Sequence, residues 1–202
     1  MPIAQSDAVF SLIKSLSKAE KRNFKLYVKR LQSNQDVKFL QLFDTMDRMI
    51  KLDEVVLKKK MSALTSSQLS NLKRHLYTQI LKSLRMIAVE KNVSIKVREQ
   101  VDFAQILYSK GLYMESLKLL ERVRLTAEKS RQEFQHMEIL ELQKRVEERH
   151  ITRSRTVKNK MEDLIQDSTD QISVLDTEVK LTNLKIKMHG LYIKMGHVHH
   201  IS

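Results

Sequence analysis

Three glycines (Gly111, Gly190, Gly196) and one proline (Pro2) are all the backbone breakers in 202 residues, about a sixth of the usage of an average globular chain. β-Hairpins and phosphate-cradling loops need such residues for left-handed turns and close backbone approach. A doubly wound nucleotide-binding sheet, a P-loop and a multi-stranded sandwich therefore drop out, and an all-helical protein is left.

A hydrophobic fraction of 42% against 30% charged residues is enough to bury a core, and the length suits one domain or two small helical subdomains. Cysteine is absent from the sequence, which removes disulfides, thiolate zinc sites and cysteine nucleophiles together. No apolar run reaches the roughly 20 residues of a membrane span, and the first residues lack the pattern of a secretory leader. The expectation is a cytoplasmic protein without a membrane segment.

Helix signals recur along the whole chain. Ser6 or Asp7 is positioned to cap a first helix, and Ser17-Lys18-Ala19-Glu20 is a capping box opening a second that presents Phe24, Tyr27, Val28 and Leu31. After the polar loop 33–36 a third carries Leu40, Phe43, Met46 and Ile50. Asp53 caps a short helix, and Thr65 or Ser66 caps a longer one whose stripe reads Leu69, Leu72, Leu76, Ile80, Leu84 and Ile87. The stripe lapses at Lys91-Asn92-Val93-Ser94, which divides the chain into a basic N-terminal subdomain, 1–93, and a C-terminal one, 94–202. Helices are expected over roughly 97–110, 112–129, 131–150, 155–167 and 170–195. In the last, Ile172, Leu175, Val179, Thr182, Ile186, His189 and Ile193 alternate spacings of three and four, a seam for a neighbouring helix or another chain.

The run from Ala104 to Val123 resembles a tetratricopeptide repeat. Ala104, Gly111, Tyr113 and Ser116 match the family's small residue, helix-ending glycine, aromatic and second small residue, while Leu107, Leu120 and Val123 fill its apolar slots. Ser116 stands where the family usually has alanine, and no proline follows Val123. A partial second match, Leu191-Tyr192-Ile193-Lys194-Met195-Gly196, looks like the end of a first repeat helix. Together they cover about a quarter of the chain. The resemblance implies antiparallel helical hairpins stacked as a right-handed α-α superhelix, and a non-catalytic protein-interaction scaffold that binds a protein or peptide partner. Groove residues would come from the first helix of the repeat: Gln100, Gln105, Tyr108 and Lys110. Leu184, Met188, Leu191 and Met195 would lack a covering helix, so the expectation is a longer helical array or a homodimer through the C-terminal helix.

No residue set reads as a catalytic site, and neither cofactor nor metal is expected. Glu133-Phe-Gln-His136 and Glu147-Glu-Arg-His150 have the Glu-x-x-His spacing of di-iron ligands. Both fall on one expected helix, about 21 Å apart, so they do not converge. His197-Val-His199-His200 has no acidic partner nearby, and adjacent acids such as Glu162 and Asp163 point to different sides of a helix. Methionines such as Met46, Met49, Met86 and Met137 sit at apolar helical spacing and read as core filler.

Charge opens the one rival reading. The net charge is +13, and Lys plus Arg outnumber Asp plus Glu by 20 to 9 in residues 1–100 but by only 17 to 15 in residues 101–202. Clustered cations attract phosphates by counterion release. Segment 53–77 superficially suits a helix-turn-helix, with Lys58, Lys59, Lys60, Lys73 and Arg74 as phosphate contacts and Gln68 and Asn71 as base readers. Against nucleic acid stand a turn without glycine, an apolar stripe continuing to Leu84, and no aromatic platform.

Overall fold

The computed structural model describes residues 5–31, 36–149 and 160–198, and these are helical with no strand among them. The helices are α1 (Gln5–Ser15), α2 (Lys18–Leu31), α3 (Asp36–Arg48), α4 (Glu54–Lys60), α5 (Ser66–Lys91), α6 (Val93–Ser109), α7 (Tyr113–Lys129), α8 (Glu133–Arg149) and α9 (Lys160–Val198). They form two compact units, Met1–Lys91 and Asn92–Ser202, each with its own apolar core.

Side-chain caps start several helices. Ser17 donates its N–H and its hydroxyl to Glu20 Oε2 at 2.7 and 2.8 Å, and Glu20 N–H donates back to Ser17 Oγ at 3.3 Å. The backbone bond from Ser17, followed by the hydroxyl bond, holds the Glu20 carboxyl below its ordinary range. Asp53 accepts from the N–H groups of Val55 and Val56, and Asn92 from that of Ile95. Thr65 and Gln68 form a second reciprocal box, at 2.9 and 3.2 Å.

In the first unit α5 is the central element, packing against α1, α2 and α3. It turns Leu69, Lys73, Leu76, Ile80 and Ser83 inward at spacings of four and three, a stripe that matches the 3.6-residue period. Phe24 of α2 meets Phe43 of α3 at 4.8 Å between ring centroids, and Leu42, Met46 and Leu57 complete the buried centre.

The second unit repeats one construction. Helices α6, α7 and α8 are each 17 residues long, and three residues separate each from the next. In the first turn Gly111 N–H bonds Tyr108 O at 3.0 Å and Leu112 N–H bonds Leu107 O at 3.0 Å; in the second Arg131 N–H bonds Glu128 O at 3.1 Å and Gln132 N–H bonds Ala127 O at 2.9 Å. Both are Schellman closures, and the central residue is left-handed in each: φ is 77° at Gly111 and 51° at Arg131. Glycine takes this conformation without steric cost, whereas Arg131 takes it against the clash of its Cβ. Helix α7 packs on α6, and α8 packs on both. At the α6–α7 crossing the buried Ser116 hydroxyl donates to the Ala104 carbonyl at 2.8 Å, so serine at this position joins the two helices by a hydrogen bond as well as by small size.

Helix α9 departs from the expected pair over 155–167 and 170–195. It runs unbroken from Lys160 to Val198; residues 150–159 lie outside the described part of the chain. The polar Ser168-Thr169 pair does not interrupt it because both hydroxyls bond back to Ile165 O at 2.9 Å, within the helix itself. Gly196 likewise lies inside α9 and does not end it: a lone glycine weakens a helix but does not by itself stop one.

Candidate interaction surface

The two halves of α9 have different surroundings. In the first, Leu164, Ser168 and Gln171 are buried at helical spacing and Leu175 is half-buried, and this row faces α8. Gln171 Nε2 donates to Glu133 O and Oε2 at 3.2 and 2.8 Å. Asp167 pairs with Arg124 of α7 at 2.6 Å, and Lys160 with the buried Glu147 at 2.6 Å. Glu133 is the first residue of α8, so α8 ends where Gln171 passes it. From Asp176 to Lys194 every side chain of α9 is exposed, and at 1.5 Å per residue the helix continues about 35 Å beyond Leu175.

That outer half is apolar on two sides. One side prolongs the row that α8 covers and carries Val179, Thr182, Ile186, His189 and Ile193. The opposite side carries Val174, Thr177, Leu181, Leu184, Met188 and Leu191, whose spacings of three and four hold them within an arc of about 100°. Leu181, Met188 and Leu191 are each 60% exposed or more. The expected row also includes Met195, whose side chain lies outside the described residues. A helix apolar on opposite sides normally has a neighbour on both. The near end of the second seam, with Val174, Thr177 and Leu181, forms one wall of an open groove of about 570 Å³; Arg131 and Glu133 form the other.

The other residues singled out in the sequence are dispersed. Tyr108 turns toward the core edge and packs on Tyr113 at 5.5 Å between ring centroids. Gln100 is partly buried, Gln105 is exposed on α6, and Lys110 is exposed in the turn after it. In the basic unit Lys58, Lys59 and Lys60 are exposed at the end of α4. Lys73 is buried, with its ammonium 2.6 and 2.9 Å from the Glu54 carboxylate oxygens. Gln68 is engaged as the partner of Thr65, and Asn71 Oδ1 accepts from Arg74 at 3.3 Å. The basic face of α2 was not singled out in the sequence: Lys18, Lys21, Arg22, Lys25 and Lys29 surround a shallow depression of about 430 Å³. Lys21 and Lys25 are paired there with Asp47 and Asp44. The repeated basic residues at spacings of three and four in Lys18–Lys29 were the available signal for it.

Glu133, His136 and Glu147 lie along α8, with His150 outside the described residues. Among the described residues no three His, Asp or Glu side chains are grouped to hold a metal ion, and no helix is long and apolar enough to cross a membrane. No family model, curated protein or solved structure matches the chain.

Proposed function

We propose that the chain is a non-catalytic protein-interaction scaffold of the tetratricopeptide-like kind, its helical hairpins stacked as a right-handed superhelix. The observation that carries this reading is the outer half of α9, a surface helix with two rows of exposed leucine, isoleucine, valine and methionine. Contiguous apolar surface of this extent marks sites where proteins meet. The equal helices α6 to α8, their matching turns and the Ser116–Ala104 crossing support the repeat architecture. Cross-linking a tagged chain in lysate of its source cell, followed by mass spectrometry, tests the reading. It expects a protein enriched over the tag alone and cross-linked to lysines of the second unit, such as Lys110, Lys185 or Lys187. Enrichment of nothing, or cross-links confined to Lys58, Lys59 and Lys60, overturns it.

The basic face of α2 favours a second reading, in which the first unit binds nucleic acid. Lys18, Arg22 and Lys29 form no ion pair among the described residues and would bind phosphate. This reading expects DNA retention at about 50 mM salt that falls steeply as salt rises. The scaffold reading expects none.

A further inference from the structure

We infer that the second seam of α9, centred on Leu184 and Met188, binds an amphipathic helix with acidic flanks from another protein. The inference rests on the scaffold reading and names the partner class for the same surface. Two features define the occupant. First, Leu181, Leu184, Met188 and Leu191 alternate spacings of three and four and are all more than half exposed. This is the pattern that receives a second helix by knobs-into-holes packing. The opposite seam is interrupted by Thr182 and His189, so it is the weaker of the two.

Second, the borders of the seam are predominantly basic, with four lysines against one glutamate. Lys180, Lys187 and Lys194 recur every seven residues along one border, and Glu178, Lys185 and Tyr192 along the other. Lys180 is partly neutralised by Asp176 at 2.6 Å; Lys185, Lys187 and Lys194 form no ion pair among the described residues. A parallel second copy would set Lys180 against Lys185, and an antiparallel one would set the Lys180, Lys187 and Lys194 border against itself. Helices in such pairs choose partners through these flanking charges. Glutamate or aspartate beside an apolar seam is the complementary arrangement.

The test uses the full chain and two fluorescein-labelled 21-residue probes with leucine at the seam positions and either glutamate or lysine at the flanks. At about 50 mM salt, anisotropy is expected to show the glutamate probe binding at least tenfold tighter than the lysine probe. The difference should shrink as salt rises. Leu184→Glu with Met188→Glu should weaken binding at least tenfold, while circular dichroism stays unchanged because both side chains are exposed. Ile186→Glu, on the opposite seam, should bind as the parent does. Lys185→Glu with Lys187→Glu and Lys194→Glu should invert the probe preference. Equal affinity for the two probes, no saturable binding, or loss on Ile186→Glu alone overturns the inference. So does a dimer, seen by sedimentation, that the Leu184→Glu, Met188→Glu pair dissolves, since the occupant is then a second copy. If the cross-linked cellular partner is retained by that same pair, this inference fails while the scaffold reading stands.

Discussion

The inner and outer halves of α9 belong to one uninterrupted helix and use the same residue types, yet Leu164 is 5% exposed and Ile186, on the continuation of the same row, is 65% exposed. The difference is the extent of α8. As far as Glu133 there is a helix to cover the inner row and to engage Gln171; beyond it none does so among the described residues. Leucine spacing therefore does not report whether a stripe is a core or a docking site. Tertiary packing supplies most helical stability in proteins, so the two halves should also differ in stability.

The largest effect is expected from deleting the inner contact. Leu164→Ala should lower the unfolding free energy of the second unit by about 2–3 kcal/mol, measured by urea denaturation with a probe in α7 or α8. A loss under about 0.5 kcal/mol would show that α9 is not held by its inner row. Hydrogen exchange gives a related contrast: amides of 177–194 should exchange about a hundredfold faster than those of 164–175, since opening the bare half breaks no side-chain core.

A smaller effect is expected at the two matched turns that lead to α9. Gly111→Ala should destabilise by about 1 kcal/mol, and Arg131→Gly should stabilise by up to about 1 kcal/mol. A Cβ at Gly111 meets nothing within 4 Å, so the cost there is the left-handed backbone alone. Opposite signs in thermal melts would establish that both turns use the same conformation. In the bare half, Gly190→Ala should slow local amide exchange by an amount worth about 0.5–1 kcal/mol; there too an added Cβ meets nothing within 4 Å. Smallest is Leu184→Ala, expected to change stability by less than about 0.5 kcal/mol. A loss near that of Leu164→Ala would mean the outer half is covered in solution.

The signals legible in the sequence are those complete within one turn of helix. Ser17 with Glu20, Thr65 with Gln68, and Asp53 ahead of two valines carry their chemistry in three or four residues, and each makes its cap. Gly111 is legible for the same reason, but Arg131 is not: its left-handed backbone has no compositional mark, and only the parallel with the first turn shows it. Ser168 and Thr169 read as a break, yet their hydroxyls bond within the helix. Gln68 shows the limit on the candidate site, because a side chain suited to reading a base is equally suited to closing a capping box.

The sequence by itself determined that the chain is helical, where several helices begin, and which residues of α9 form apolar rows. Those properties follow from backbone-breaker scarcity, short-range capping and periodicity. Only the tertiary structure decided which rows are covered. It brought Lys73 to Glu54, 19 residues away, and Ser116 to Ala104, 12 residues away, and it ended α8 where α9 continues. Burial depends on which distant segment arrives at a face, and no local pattern encodes that arrival.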